Sequence, residues 1–219
     1  MLNQKKLGLG VEDFKEIIEQ DYYYIDKTKF IEEILLDGAK IKLFCRPRRF
    51  GKTLNMSTLR YFFDIETKEE NRKLFNGLDI ENSPMISEQG KYPVIFLTMK
   101  GIDSSSWNGA IKNIRDKIFE LYNEYDGKIN HILTENENKV FNKFAGKESD
   151  EEELKTSLSF LTSLLYKYYN QKVIVLIDEY DSPIISAYEN GYYNEAITFF
   201  KGLYGNVLKT NQYLHMGEI

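Results

Sequence analysis

A short, mostly apolar run that ends in an arginine-rich loop constrains the fold of this chain most strongly. The run Ile41-Lys42-Leu43-Phe44-Cys45 leads into Arg46-Pro47-Arg48-Arg49-Phe50-Gly51-Lys52-Thr53, and a segment with helical periodicity begins at Leu54. This order of strand, loop and helix is typical of a P-loop, in which backbone N–H groups and the positive end of the helix hold a phosphate group. In such a loop Lys52 would contact the β- and γ-phosphates, and the Thr53 hydroxyl would bind Mg²⁺.

The loop departs from the P-loop consensus at its first position. The pattern G-x-x-x-x-G-K-[ST] requires glycine where this chain has Arg46, and Gly51-Lys52-Thr53 alone is a weak signal. Arg46, Arg48 and Arg49 either contact phosphate oxygens or pair with carboxylates on neighbouring surfaces. Because Cys45 is the single cysteine, an intramolecular disulfide is excluded, and a thiol at the end of a buried strand is expected to be inert.

A second apolar run ends in two adjacent carboxylates. Residues 173–177 are all apolar and lead directly into Asp178 and Glu179. An uninterrupted run of this length is typical of a strand buried on both faces, as in a parallel sheet. Asp178 would hold Mg²⁺, largely through water, and Glu179 would point another way and polarise an attacking water. Asp181 is either a further polar ligand or, more often at such a position, a local helix cap.

Strands that alternate with helical segments predict an α/β fold with a mainly parallel sheet. Residues 92–99 form a further predicted strand, and ligands in such folds gather at the carboxyl ends of strands. The charged, asparagine-rich residues 123–147 are expected to be a mobile connection or insertion, and residues 213–219 to start a strand that the chain barely completes. Helical spacing of apolar residues predicts helices over residues 14–18, 30–35, 54–63, 107–125, 154–168 and 193–208.

Charge and hydropathy limit the class of protein. A net charge of −5 argues against a surface that coats nucleic acid in general, although it leaves room for a local basic patch. The chain has no signal sequence and no apolar run near ~18 residues, so we expect a cytoplasmic protein with no membrane association. A chain of 219 residues is expected to form one domain, or two at most.

The sequences of several motifs resemble those of the AAA-ATPase-like family of bacteria and archaea. The resemblance runs from about Gly8 to the C-terminus, and the Arg-Pro-Arg-Arg-Phe-Gly-Lys-Thr form of the P-loop is highly specific. The first glycine is commonly replaced in this family, which accounts for Arg46. The other matching stretches are Tyr24-Ile25-Asp26-Lys27-Thr28, Leu74-Phe75-Asn76-Gly77-Leu78, Tyr92-Pro93-Val94-Ile95-Phe96-Leu97 and Leu176-Ile177-Asp178-Glu179-Tyr180-Asp181.

The resemblance implies a three-layer P-loop NTPase core of the additional-strand, catalytic-glutamate type, with ATP and Mg²⁺ as cofactors. Lys52 and Glu179 would be the catalytic residues, and Thr53 and Asp178 the metal residues. ATP is preferred over GTP on the family resemblance, since the chain has no guanine-reading Asn-Lys-x-Asp motif. The residues implied in nucleotide binding are Arg46, Pro47, Arg48, Arg49, Phe50, Gly51, Lys52, Thr53 and Leu54.

The resemblance also implies how the chain is divided. Residues 1–40 would be a helical lead-in, and residues 41–219 the ATPase core. Many family members continue into a lid and a C-terminal nuclease-like domain of the PD-(D/E)XK type, through which a protein or nucleic acid partner would bind. This chain ends about where a member would enter the strand bearing the sensor residue. The expected fold is therefore truncated at its C-terminal side.

The leading hypothesis is Mg²⁺-dependent ATP binding followed by hydrolysis. The alternative is a nucleotide-dependent binding or switch module with little or no turnover, which would have no use for Glu179. A small-molecule kinase would need an acceptor pocket and a basic lid, and neither is evident in the sequence.

Overall fold

The structure, a computed structural model, describes residues 5–44 and 50–219. These residues divide into two compact units, one reaching Val94 and the other running from Ile95 to Ile219. Part of the predicted phosphate loop lies outside the described residues, namely Arg46, Pro47, Arg48 and Arg49, together with Cys45 before it.

The first unit is built from short helices around an aromatic core. The ring of Phe75 lies 5.1 Å from that of Phe14 and 5.3 Å from that of Phe62, and all three side chains are fully buried. Tilted and edge-on contacts of this kind add to the free energy gained from burying the rings. The elements are α1 (Phe14–Glu19), α2 (Lys29–Leu36), β1 (Ile41–Lys42), α3 (Lys52–Phe63) and α4 (Lys68–Asn71), followed by 3-10 turns at Arg72–Phe75, Asp79–Asn82 and Pro84–Glu88.

Asp26 and Thr28 link two distant parts of this unit. One carboxylate oxygen of Asp26 accepts hydrogen bonds from the backbone N–H and the hydroxyl of Thr28, each at 2.8 Å. The other accepts from the N–H of Asp79 at 2.6 Å, and the Thr28 hydroxyl accepts from the N–H of Ile80 at 3.1 Å. The motif around residues 24–28 therefore has a structural role, because it satisfies backbone donors of the turn at residues 79–82.

Thr28→Val is expected to lower the free energy of unfolding by about 1–3 kcal/mol, since it leaves the buried N–H of Ile80 without an acceptor. Valine matches threonine in shape, so packing is preserved. The measurement is chemical denaturation, with Thr198→Val on an exposed helix face as the control, expected to stay within about 0.5 kcal/mol. Equal stability of the two variants would contradict the linking role of Thr28.

The second unit contains a parallel sheet in which the central strand is fully buried. Its strands are β2 (Val94–Thr98, of which residues 95–98 belong to this unit), β3 (Val173–Asp178) and β4 (Leu214–Glu218), arranged in the order β4-β3-β2. The backbones of β3 and β4 pair in parallel, with Leu176 opposite Glu218, and all six residues of β3 are buried. The α/β class and the parallel sheet are confirmed, and they are consistent with the predicted P-loop NTPase fold. The strand expected within residues 213–219 is β4, which is five residues long.

Helices α5 (Trp107–Asn123), α8 (Ser157–Tyr169) and α10 (Tyr193–Tyr204) lie where helical spacing predicts them. A separate turn of helix, α7 (Glu151–Leu154), precedes α8. Asp150 caps α7 in a capping box with Glu153, so each side chain accepts from the backbone N–H of the other. Helix α9 (Ser182–Asn190) is an addition that apolar spacing did not reveal.

Residues 123–147 are not the mobile connection that their composition suggests. They contain α6 (Glu135–Ala145), whose Phe141 and Phe144 are buried against Tyr122 with ring centroids 5.1 and 4.8 Å away. Glu137 of α6 accepts a hydrogen bond from Lys167 of α8 at 2.7 Å. That bond is the main reason why the pKa of the Glu137 carboxyl falls to about 2. The segment is thus a helix packed on its own unit.

Within the described residues, no helix is both long and apolar enough to cross a lipid bilayer.

Candidate functional site

One candidate region, in the first unit, is the start of helix α3. Gly51 immediately precedes the helix with φ of 73°, a left-handed conformation that glycine adopts without strain. The carbonyl of Gly51 accepts the first helical hydrogen bond, from the N–H of Asn55 at 2.9 Å. No side chain caps this helix, and its first turn contains no acidic residue. The N–H groups of the first turn therefore have no capping acceptor from the described chain, as an anion-binding helix start requires.

Lys52 and Thr53 are the first two residues of α3, and both are half-buried. Among the described residues, no carboxylate forms a salt bridge with the Lys52 ammonium group. Leu54 lies in the same turn, and Phe50 is 61% exposed. The remaining predicted nucleotide-binding residues, 46–49, lie outside the described part of the chain.

Helix α3 is held in the first unit by polar contacts with α1. The Ser57 hydroxyl accepts from the N–H of Phe14 at 2.6 Å, and the Tyr61 hydroxyl donates to Asp13 at 2.9 Å. Asp13 also caps α1, accepting from the N–H of Glu16. The apolar residues at helical spacing on α3 are buried as well, with Met56, Leu59 and Phe63 at most 4% exposed. The direction of the α3 start is therefore fixed by packing along the whole helix.

A second candidate region, in the second unit, lies at the carboxyl end of β3. Asp178 is the last residue of the strand and is 4% exposed. Its carbonyl oxygen accepts from the N–H of Met99, which follows β2, at 2.9 Å. A carboxylate this deeply buried is stable only if it is hydrogen-bonded, paired or bound to a metal.

Glu179 has a backbone conformation that the sequence did not reveal. Its φ of 51° lies in the left-handed region, which costs a residue with a side chain about 1–2 kcal/mol. The N–H of Ser182 donates to the Glu179 carbonyl at 3.0 Å, and the Ser182 hydroxyl donates to Oε2 of Glu179 at 3.2 Å. Strain of this kind persists where the surrounding structure fixes it, and such residues cluster at functional sites.

Tyr204 of α10 supports the same turn. Its hydroxyl donates to the carbonyl of Tyr180 at 3.3 Å. Burial raises the pKa of Tyr204 well above its ordinary value, and the nearby Asp181 carboxylate raises it further. The phenol is therefore protonated at neutral pH and keeps its donor.

The expected capping role of the Asp181 side chain is wrong. Asp181 does stand at the N-cap position of α9, but its side chain makes no capping hydrogen bond. Its backbone carbonyl accepts from the N–H groups of Ile184 and Ile185 instead. Pro183 lies in the first turn, where its missing N–H costs nothing. A proline at this spacing was the sequence signal for the start of α9.

Sequence reasoning also missed Glu218, which lies opposite Leu176 on β4 and is 1% exposed. Paired residues of parallel strands direct their side chains to the same face of the sheet. Asp178, two residues after Leu176, shares that face. A second buried carboxylate thus lies on the same side of the sheet as Asp178.

Comparison with known proteins identifies the family to which the chain is similar. The family model described as predicted AAA-ATPase matches residues 8–217. An uncharacterized protein from the vnfD 5' region of Azotobacter chroococcum mcd 1 is 32% identical over 185 residues. The alignment covers 84% of this chain but 30% of that relative, so the chain spans less than a third of the relative's length. No solved structure matches the chain.

Proposed function

The chain belongs to the predicted AAA-ATPase family, and on this premise we propose that it binds Mg·ATP and hydrolyses the bond to the γ-phosphate. We assign the ATPase core to residues 41–219, preceded by the helical lead-in of residues 1–40. The nucleotide loop is residues 46–54, in which Arg46, Arg48 and Arg49 either contact phosphate oxygens or pair with carboxylates.

Phosphate binding is assigned to the start of α3. The N–H groups after Gly51 carry the positive end of a 12-residue helix dipole and have no acidic residue beside them. Lys52 adds a full positive charge within the same turn. A half-buried ammonium group without a carboxylate partner among the described residues suits the β- and γ-phosphates of ATP.

Mg²⁺ binding is assigned to Thr53 and Asp178. Both offer oxygen donors, which Mg²⁺ prefers, and Mg²⁺ needs few protein ligands because it keeps several waters and binds substrate phosphates. No group of three or more His, Cys, Asp or Glu side chains is arranged for a metal in residues 5–44 and 50–219. When bound, the ion would neutralise charge that develops on the phosphate oxygens.

Hydrolysis is assigned to Glu179. Its carboxylate would orient a water whose oxygen forms a new bond to the γ-phosphorus. The bond from that phosphorus to the bridging oxygen breaks, and this oxygen leaves with the electron pair on ADP. The proton of the attacking water is released with inorganic phosphate, and the role of Glu179 is to align the water and accept its hydrogen bond.

The observation that carries this proposal is the strained turn at Glu179, directly after the buried Asp178. A domain that only binds nucleotide has no need to hold a glutamate in a costly conformation at this point. The test is release of phosphate from ATP by the purified chain, with Mg²⁺ and with EDTA. We expect release that requires Mg²⁺. A folded chain that releases no phosphate with Mg²⁺, or releases it equally with EDTA, would contradict the proposal.

A further inference from the structure

The turn between β3 and α9 is fixed at three consecutive backbone carbonyls. The carbonyl of Asp178 accepts from Met99, that of Glu179 from the N–H of Ser182, and that of Tyr180 from the hydroxyl of Tyr204. The donors come from three places in the second unit: the residue after β2, the first residue of α9, and the end of α10. The backbone position of Glu179 is therefore determined by its surroundings.

The side chain of Glu179 is fixed at one oxygen only. The Ser182 hydroxyl lies 3.2 Å from Oε2, in the geometry of a donated hydrogen bond. Within the described part of the chain, no donor contacts the other oxygen, Oε1. A carboxylate has two oxygens that accept hydrogen bonds, so this arrangement holds one and leaves the other for a different donor.

We propose that Ser182 is a positioning residue for Glu179: by holding Oε2 it directs Oε1 toward the attacking water. This role rests on the proposed hydrolysis. A glutamate side chain loses rotamer freedom when it is ordered, and a hydrogen bond made before the substrate arrives removes that loss from the chemical step.

A hydrogen bond that restrains Glu179, instead of positioning it, would have the opposite effect on the rate of hydrolysis. If the hydrogen bond held Glu179 in a resting position, its removal would free the carboxylate and raise the rate. The structure favours positioning, because the hydroxyl comes from the first residue of the helix that the turn itself leads into. Ser182 and the Glu179 carboxylate are therefore parts of one short, fixed unit.

Ser182→Ala tests the role of the side-chain hydroxyl separately from that of the backbone N–H. The variant keeps the N–H of residue 182 and its bond to the Glu179 carbonyl, so the turn should keep its shape. We expect kcat to fall about tenfold, within the effect of a misplaced catalytic group, while the Kd for Mg·ATP stays within about twofold. Ser182→Thr restores a hydroxyl at this position and should recover most of the rate.

The matched control is Ser159→Ala, since the Ser159 hydroxyl donates to the carbonyl of Thr156, the residue before α8. It should leave kcat and KM unchanged, and thermal melting of all variants checks that they are folded. The double variant Ser182→Ala/Glu179→Gln should be no slower than Glu179→Gln alone, because Ser182 acts through that carboxylate. A role in stability alone would not produce this non-additivity or the recovery by threonine.

The outcomes distinguish this role from the proposed function. Wild-type turnover with an unchanged or faster Ser182→Ala variant would overturn the positioning role and leave hydrolysis standing. Additive losses in the double variant would overturn it as well. Wild-type protein without turnover would contradict the proposed hydrolysis, and the positioning role would fall with it.

Discussion

Replacing Lys52 with alanine is expected to weaken Mg·ATP binding at least about 100-fold, because a charge-assisted contact to phosphate contributes roughly 3 kcal/mol. Lys52 is half-buried in the first turn of α3. As its ammonium group has no carboxylate partner among the described residues, its removal breaks no salt bridge there, and the fold should be unaffected. The measurement is calorimetric titration with Mg·ATP.

Lys68→Ala is the matched control for this experiment. Lys68 is also the first residue of a helix in the first unit, but its side chain is 55% exposed and lies 4.0 Å from Glu69. If nucleotide is attracted only by the positive charge of the surface, the two variants should lose affinity equally. That result, or an unchanged Kd in Lys52→Ala, would contradict a phosphate site at the start of α3.

Glu179→Gln is expected to lower kcat by about 10²–10³-fold while the Kd for Mg·ATP stays within about threefold. Glutamine has nearly the same size and can still accept from the Ser182 hydroxyl, so the turn is preserved. It loses the negative charge that orients and polarises water. Single-turnover hydrolysis and titration of the same protein measure the two quantities.

Glu189→Gln is the control for Glu179→Gln, since Glu189 is an exposed residue of the neighbouring helix α9. It should leave the rate and the affinity unchanged. If Glu179→Gln binds and turns over ATP like the wild type, Glu179 is not the water-orienting group. If the wild type binds ATP but does not hydrolyse it, the chain acts instead as a nucleotide-dependent binding module.

The sequence predicted best those elements whose apolar pattern has one interpretation. Residues 173–177 form an uninterrupted apolar run, which becomes the fully buried strand β3. The spacing of Met56, Leu59 and Phe63 fits one helix face, and all three are buried in α3. In these cases local pattern and tertiary packing agree, so the pattern alone suffices.

Prediction from the sequence failed where a few apolar residues determine the structure of a mostly polar segment. Within residues 123–147, Phe141 and Phe144 are three positions apart and bury one face of α6. The many charged and asparagine residues around them led to the wrong prediction of a mobile connection. Helix α9 was missed for a similar reason, since it buries only Pro183, Ser186 and Ala187, which give no apolar stripe.

The candidate site shows the same limit. Residue types and spacing were enough to select Lys52, Thr53, Asp178 and Glu179 as candidates. The left-handed backbone of Glu179 could not be predicted, because nothing in a glutamate signals a positive φ. The carbonyl contact of Tyr204 is likewise a tertiary contact between residues 24 positions apart.

Titration of the purified wild-type chain with ATP, in Mg²⁺ and again in EDTA, tests the central proposal most directly. A Mg·ATP-binding domain should show saturable binding of one nucleotide per chain, weakened when Mg²⁺ is removed. A chain that melts cooperatively but gives no saturable binding to ATP in Mg²⁺ would contradict the proposed function.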